Sequence, residues 1–297
     1  LRRDADLEAL LDGNQEALAT YGRAEAGARA LAERFPGDQE LEALVGDVLT
    51  VTSRCYREAG DLKTSLVKSE EALTITSRLA GLSPASLERR TAVASAEAAV
   101  GMTKARLGDL ASAMRLYESS TRRGETLVAD DPNNVSRKRN LMLGYSHLGD
   151  ILGYPDLPNL GEPAKAEAVY ARMVALAREI QASDPKDARA ITDSAIALSR
   201  WAIVSQAPAE REQRLNEAAS LIRARLAASP SNLTLITYEG VIEYQLGITH
   251  LSTGRTASAI PHWRRAIEIA KPHVGKRNDA LLRVLTLSIR ELTKHES

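Results

Sequence analysis

One spacing recurs along the chain of 297 residues and limits the folds that this chain can adopt. Short segments such as "AGDLKTSL" and "LGDLASAM" align on a glycine, and successive aligned glycines lie 47, 48 and 53 residues apart. Prolines follow the same period, at intervals of 48, 48, 53 and 45 residues. The markers are Gly13, Gly60, Gly108 and Gly161, and Pro36, Pro84, Pro132, Pro185 and Pro230. Two independent markers with one period predict a stack of structural repeats.

The residues around the prolines predict where each repeat begins. Four of the prolines follow a polar residue that often caps helices, and proline is favoured at the first position of a helix. These residues are Ser83, Asp131, Asp184 and Ser229. We therefore expect each Ser-Pro or Asp-Pro pair to begin the first helix of a repeat, and the glycine turn to separate that helix from a second one.

Small residues predict that the two helices of each repeat cross closely. Seventeen residues after each proline lies a small residue: Ser53, Gly101, Gly149, Ala202 and Gly247. The second helices carry their own small residues at a matching place: Ala17, Ser65, Ala113, Ala166 and Ala259. Aromatic residues follow four positions later in most repeats: Tyr21, Tyr117, Tyr170 and Trp263. A leucine at such a crossing would force the two backbones apart.

The order of helix, Gly-Asp turn, antiparallel helix and proline resembles the tetratricopeptide repeat over nearly the whole chain. That family repeat has about 34 residues, whereas this one has near 48, so each helix is longer by about seven residues. Seven residues turn a helix by about 700°, close to two full turns, so the buried face is kept.

The resemblance implies an all-α fold, an α-α superhelix or tetratricopeptide-like solenoid of about six elongated helix pairs with a C-terminal capping helix near 276–295. We expect a single solenoid over 1–297. Its predicted repeats are 1–36, 37–83, 84–131, 132–184, 185–229 and 230–271, followed by a cap at 272–297.

One turn is longer than the others. The segment "GDILGYPDLPNLGEPAKAE" begins at Gly149, and the interval from Gly108 to Gly161 is five residues longer than the usual 48. Residues 153–161 are thus predicted to be an insertion between the two helices of one repeat, with Gly153 and Gly161 supplying permissive backbone at its ends. Two interpretations remain open: a structural loop at the edge of the solenoid, or a loop that contacts a ligand.

The same segment, with its "GD-x-x-G-x-P…NLG" pattern, is similar to the long tetratricopeptide repeats that follow the catalytic domain of certain bacterial serine/threonine kinases. This resemblance implies a kinase domain and a membrane span before the repeats, and an extracytoplasmic location; without them the location would be cytoplasmic. Residue 1 is Leu rather than Met, so we expect a piece of a longer protein. The chain has none of the kinase signatures, so any kinase activity would belong to other residues.

The composition argues against several other classes of function. Lys plus Arg and Asp plus Glu are both 39, so no net charge draws the chain to nucleic acid or an anionic membrane. No apolar run is long enough for a membrane helix, and the one cysteine, Cys55, excludes an internal disulfide but fits either redox compartment. No two histidines lie four residues apart, so we expect no metal and no cofactor. We interpret the run Arg137-Lys138-Arg139 as a solvated helix face rather than a nucleic-acid site.

Stacked helix pairs form a concave surface lined by the first helix of each pair. We predict that this groove binds a protein or peptide. The groove is expected to be basic at its N-terminal end and apolar towards its C-terminal end, so an acidic-hydrophobic segment is the best match. The predicted partner-binding residues are Arg54, Arg57, Met102, Arg106, Ser146, Asp150, Ser199, Tyr244 and Ile248. The predicted function is a non-catalytic scaffold that serves as the sensor or docking region of a larger kinase. The alternatives are a free-standing adaptor and, more remotely, an unrecognised helical enzyme.

Overall fold

The computed structural model describes residues 14–273 and 279–295, and the regular elements within these ranges are all helical. A short 3-10 helix follows the eleventh α-helix at Lys271–His273. The α-helices are α1 (Asn14–Arg34), α2 (Gln39–Glu58), α3 (Leu62–Leu82), α4 (Leu87–Arg106), α5 (Leu110–Asp130), α6 (Val135–Gly153), α7 (Pro163–Ser183), α8 (Ala188–Val204), α9 (Pro208–Ala228), α10 (Leu233–Ser252), α11 (Thr256–Ala270) and α12 (Asp279–His295). The predicted all-α class of helix pairs, with a C-terminal helix after the last pair, is confirmed. Gly13 and the start of the first predicted repeat lie outside the described residues.

The described residues form two compact units. Unit 1 comprises the residues up to Ile151 together with Leu157–Leu160, and unit 2 comprises Leu152–Asp156 and the residues from Gly161 onward. Unit 1 therefore contains α1 to α5 and nearly all of α6, whereas unit 2 contains α7 to α12. The single solenoid over 1–297 and its repeat boundaries stay predictions.

Within each unit, consecutive helices pack against one another. In unit 1 each helix from α1 to α4 contacts the next, and in unit 2 each helix from α7 to α11 does the same. The first helices of neighbouring pairs also touch, α2 against α4 and α8 against α10. Hydrogen bonds mark the antiparallel crossing of α2 and α3, because the Ser65 hydroxyl donates to the Ser53 carbonyl oxygen over 2.8 Å. The first helices thus form one layer in each unit.

The prolines do not begin these helices, contrary to the prediction. Ser83, Asp131, Asp184 and Ser229 are instead the C-caps of the preceding helices. Each is the first residue of a tight turn with proline second, closed for example by the Ser86 amide donating to the Ser83 carbonyl oxygen over 3.0 Å. Proline fits that turn position as well as the first helical position, because both need a φ near −65°.

The true N-cap lies two residues after each proline. Asp38, Ser86, Asp187 and Asn232 accept backbone amides of the first turn through their side chains. Asn134 does the same for α6, where the Arg137 amide donates to its side-chain oxygen over 3.1 Å. These residue types are the preferred helix caps, so the signal was present in the sequence, three residues beyond the predicted position.

The Gly-Asp turns end the first helices and begin the second ones. Gly60 and Gly108 have φ values of 87° and 86°, in the left-handed region where a side chain is strained. Asp61 and Asp109 then cap α3 and α5, accepting amides of Thr64 and Ser112. Hydrogen bonds from the side chains of Thr64 and Ser112, and then from their backbone amides, hold the pKa values of the two carboxyl groups below the usual value.

The predicted close crossings are present where both helices of the pair lie in one unit. A Cβ atom at Gly101 would lie 2.8 Å from the Tyr117 ring, and one at Gly247 would lie 2.6 Å from Trp263 Cδ1. Ser53 and Ala202 are fully buried at the equivalent places. The second-helix positions are fully buried as well: Ala17, Ser65, Ala113, Ala166 and Ala259. Gly149 is buried, but its partner helix belongs to the other unit, so that crossing stays a prediction.

The long turn lies between α6 and α7, as the repeat spacing predicted. The Leu160 amide donates to the Ile151 carbonyl oxygen over 2.8 Å, and the Glu162 amide donates to that of Leu152 over 2.7 Å. Gly161 has a φ of 71°, but Gly153 is needed for a different reason than predicted. It is helical, and a Cβ atom there would lie 2.7 Å from Pro163 Cα, so only glycine allows this close approach.

Candidate functional site

The layer of first helices in unit 1 contains a cavity of about 300 Å³. Its walls come from α2, α4 and α6, and its floor includes side chains of α5. A second cavity of about 390 Å³ adjoins it and shares Thr50, Val51, Thr91, Ser95, Arg137 and Asn140 with the first. We call the two cavities together the unit 1 groove, and the first of them the Arg57 cavity. The concave surface predicted from the first helices therefore has a physical counterpart within unit 1.

Three of the predicted partner-binding residues line the Arg57 cavity: Arg54, Arg57 and Met102. Arg106 is exposed beside it, and its Nη1 atom donates to the Arg57 carbonyl oxygen over 2.7 Å. Asp150 is half-buried. Burial and then the Asp150 charge raise the pKa of Tyr117, so this carboxylate lies close enough to act on the Tyr117 ring of α5.

Two of the predicted residues are not on an accessible surface. Ser146 is buried in unit 1, and Ser199 is buried in unit 2. The Ser199 hydroxyl donates to the Ile196 carbonyl oxygen of its own helix over 2.9 Å, so its polar atom is satisfied inside the packing. A serine at this register is small enough to be buried, and this explains why the prediction of a groove position was wrong for both.

Tyr244 and Ile248 are half-buried on α10 in unit 2. Burial raises the pKa of Tyr244, and the Glu291 carboxylate adds to the shift. Their predicted role in partner binding stays a prediction.

Several residues of the groove were not predicted from the sequence. Arg137 was interpreted as part of a solvated face, yet it is half-buried and lines both cavities. Its Nε atom donates to Asp131 over 3.1 Å, and its Nη1 atom donates to the Thr91 hydroxyl over 3.4 Å. His147 also lines the Arg57 cavity, with its ring stacked on Tyr117 at 5.4 Å between centroids. The position of Arg137 three residues after the α6 N-cap was the signal that could have found it.

The charged side chains that line the Arg57 cavity are all positive, namely Arg54, Arg57 and Arg137, whereas Asp47 and Glu88 also line the adjoining cavity. Arg54 is exposed, and its Nε atom lies 4.0 Å from the Glu58 carboxylate of the same helix. Arg57 is only 5% exposed, and its pKa is lowered, first by burial and then by the charge of Arg106. A guanidinium stays charged even so. This arrangement is suited to binding an anionic group, and Cys55 is buried beside Tyr21 rather than in the cavity wall.

Unit 2 contains a cluster of buried and half-buried charges that the sequence did not reveal. Glu243 is buried and forms an ion pair with Arg223, and the His262 Nδ1 atom lies 2.8 Å from the same carboxylate. The His262 ring stacks on His250 with 5.0 Å between centroids. Burial lowers the pKa of His250. In residues 14–273 and 279–295, no three His, Cys, Asp or Glu side chains are placed to hold a metal ion.

The insertion also makes specific contacts in unit 2. Asp156 accepts a hydrogen bond of 2.6 Å from Arg283 of α12, and its carbonyl oxygen accepts a second one from the same guanidinium over 3.3 Å. The Arg200 guanidinium of α8 lies over the Tyr154 ring, 5.3 Å from its centroid. The beginning of the insertion is thus fixed to two helices of its unit, which supports a structural role.

Solved structures with low sequence identity share this arrangement of helices. BtubC (BKLC) from P. vanneervenii matches with a TM-score of 0.60 and 14% identity, over 88% of this chain and 92% of that chain. The apo form of RapI matches with a TM-score of 0.54 and 14% identity, over 99% of this chain and 97% of that one. YrrB, described as a TPR protein with an unusual peptide-binding site, matches with a TM-score of 0.39 and 15% identity, over 86% of this chain and 96% of that one.

These similarities concern the fold alone. The tetratricopeptide-like fold predicted from the sequence is confirmed. No protein-family profile matches the chain, and no curated protein matches it. Within the part of the chain that the structure describes, every helix is too short or too polar to cross a membrane.

Proposed function

We propose that this chain is a non-catalytic protein-interaction scaffold that binds an extended, acidic-hydrophobic segment of a partner in the unit 1 groove. The observation that carries the proposal is the groove itself, in which first helices of three successive pairs present a continuous concave surface. Helix-pair repeat proteins commonly use such surfaces for binding. The tetratricopeptide-like fold supports the same class of function.

The chemistry of the groove favours the acidic-hydrophobic character of the segment. Arg54, Arg57 and Arg137 supply positive charge on α2 and α6, and guanidinium groups bind carboxylates in a bidentate manner. Between them lie apolar side chains of α4, including Ala98 and Met102. A segment that alternates acidic and apolar residues matches both features.

Charge reversal at the edge of the groove tests this proposal. Peptides are first selected on the parent protein from a displayed library of random sequences, and we expect Asp or Glu beside large apolar residues to be enriched. The selected peptide is then titrated against the double variant Arg54→Glu with Arg106→Glu at two salt concentrations. Both side chains are exposed, and exposed ion pairs contribute under about 1 kcal/mol each. We therefore expect a three- to tenfold weaker affinity, with a smaller dependence on salt.

A matched control is available on α5 of the same unit. Arg115 and Arg122 are both exposed and line neither cavity. The double variant Arg115→Glu with Arg122→Glu changes the net charge by the same amount, so it should bind the peptide like the parent. If the two double variants bind equally well, or if the selected peptides show no acidic-hydrophobic preference, the proposal is wrong.

We further propose that the scaffold serves as the sensor or docking region of a larger bacterial serine/threonine kinase. This rests on the resemblance of the segment from Gly149 to Glu167 to the repeats of such kinases. The complete coding sequence tests it. A kinase domain followed by an apolar stretch of about 20 residues before Leu1 would support it and an extracytoplasmic location. Repeats without either would favour a free-standing adaptor.

A further inference from the structure

Arg57 is a buried cation without a counter-charge. Its side chain lines the Arg57 cavity, and no acidic side chain of the described residues lies within ion-pair distance of it. Its Nη1 atom is buried and has no hydrogen-bond partner. The charge that acts most strongly on it is that of Arg106, which is also positive, and the Glu58 carboxylate has a smaller effect of opposite sign. Burial of an unpaired charge is costly, so this arrangement is unfavourable unless an anion completes it.

A second buried polar atom on the same cavity also has no partner. The Thr121 hydroxyl of α5 is buried, and its oxygen has no hydrogen-bond partner among the described residues. It lies close to the backbone of α6, since a Cβ atom at Gly144 would be 3.2 Å from it. Thr121 and Arg57 therefore come from two different helices, and both line the Arg57 cavity.

The rest of the cavity wall is largely apolar. Ala98, Met102, Leu127 and Leu141 contribute side chains to it. Sites for small ligands generally combine such apolar walls with a few convergent polar groups, and about 300 Å³ is at the small end of their range. The single buried guanidinium matches one negative charge. A doubly charged group such as phosphate would leave charge uncompensated in an apolar space.

We propose that the Arg57 cavity binds a single carboxylate carried by a compact apolar body. Arg57 and Thr121 hold the carboxylate, and the apolar body contacts Ala98, Met102 and Leu127. The inference rests on the proposed function, because the cavity belongs to the groove that holds the partner segment. The carboxylate comes either from an acidic side chain of that segment or from a free small organic acid, and both sources share one chemistry.

The Arg57→Met variant allows the effect of Arg57 on ligand binding to be measured separately from its effect on stability. Arg57→Met replaces an unpaired buried charge by an apolar side chain of similar length, and such replacements are often neutral or stabilising. The unliganded variant should therefore melt at the parent temperature or above it, although it has lost the guanidinium that is proposed to bind the carboxylate. Arg115→Met, which changes an exposed side chain of the same unit that lines neither cavity, is the matched control.

Calorimetric titrations with four probes test the proposal. Isocaproate is compared with isocaproamide, and the acetylated and amidated tripeptide Leu-Glu-Leu is compared with Leu-Gln-Leu. The parent should bind at least one acid ten times more tightly than its amide. Arg57→Met should abolish this difference, Thr121→Val should reduce it severalfold, and Arg115→Met should retain it. Preference for isocaproate identifies a free acid as the ligand, and preference for the tripeptide identifies an acidic side chain.

The proposal is wrong if acid and amide bind alike, or if Arg57→Met and Thr121→Val both keep the parent preference. It is also wrong if Arg57→Met melts well below the parent, because Arg57 would then stabilise the fold in the absence of a ligand. Binding of the selected peptide shows whether the carboxylate site alone is wrong or whether the proposed scaffold function of the unit 1 groove is wrong as well. If that peptide still binds in a manner sensitive to Arg54 and Arg106, the scaffold function stands and only the carboxylate site is lost.

Discussion

Replacement of Gly247 by leucine is expected to lower the free energy of unfolding of unit 2 by about 4 kcal/mol. The first atom of any side chain at this position would lie 2.6 Å from Trp263 Cδ1. Trp263 is itself fully buried, so either its ring or the helix α10 must move and lose packing. Both tryptophans of the chain, Trp201 and Trp263, belong to unit 2, so denaturation followed by tryptophan fluorescence measures this change directly.

Gly240→Ala is the matched control on the same helix. A Cβ atom there first meets Leu281 Cδ2 at 3.4 Å, an ordinary contact distance. Alanine is favoured over glycine inside a helix by about 0.5–1 kcal/mol, so this variant should be as stable as the parent or slightly more stable. A Gly247→Leu protein that unfolds at the same denaturant concentration as the parent would show that α10 and α11 do not cross this closely.

Removal of the Glu243 side chain should destabilise unit 2 by about 3 kcal/mol. This carboxylate is buried and holds both Arg223 and His262. Loss of one member of a buried ion pair leaves the charge of its partner without a counter-charge. Because Arg223 and His262 both keep contact with solvent, we expect the loss of unfolding free energy to lie at the lower end of the usual range. Glu243→Ala is compared with the parent by fluorescence-detected unfolding at neutral pH.

The effect of Glu243→Ala should depend on pH in a defined direction. Burial alone would raise the pKa of this carboxyl group, but the hydrogen bond and charge of His262 and the charge of Arg223 outweigh it, so the pKa lies below 4.5. The carboxylate therefore stabilises the folded state above about pH 4.5, and this contribution is lost as the pH falls through the lower folded value. The difference in the free energy of unfolding between Glu243→Ala and the parent should therefore become smaller as the pH is lowered.

Glu268→Ala serves as the control for Glu243→Ala. Its side chain is largely exposed on α11 and forms an ion pair with Arg265 of the same helix, at 3.3 Å. The change should cost well under 1 kcal/mol at every pH. Equal stability of the two variants at neutral pH would mean that the buried cluster around Glu243 does not form.

The helical frame of this chain could be predicted because its determinants are local and repeat. Gly60 and Gly108 end helices through their own φ values, and small residues such as Gly101 and Gly247 recur at one register. The helix starts were misplaced by three residues, since proline has the same backbone requirement in a turn and at a helix start. The polar residue two positions after each proline would have resolved that ambiguity.

The site could be predicted only in part, because it depends on which helices meet. Arg57 and Met102 followed from their register on the first helices. Thr121 and His147 enter the cavity from α5 and α6, and their approach depends on packing that no single repeat encodes. Thr50 lines the cavity whereas Ser146 and Ser199, at the same register, are buried. The position of a residue within the repeat therefore predicts which way its side chain points, but it does not predict how deeply that side chain is buried.

Photo-crosslinking at single cysteines tests most directly whether the partner binds in the unit 1 groove. Cys55, the one native cysteine, is buried, so a cysteine introduced at an exposed position can be labelled selectively with a benzophenone reagent. Ser95→Cys places the label on α4 inside the groove, and Ala111→Cys places it at an equally exposed site on α5 outside both cavities. The labelled proteins are irradiated with the selected peptide, and the unlabelled parent gives the background. We predict crosslinking at residue 95 and only background at residue 111; equal crosslinking at both, or crosslinking at residue 111 alone, would contradict a groove in unit 1 that binds the partner.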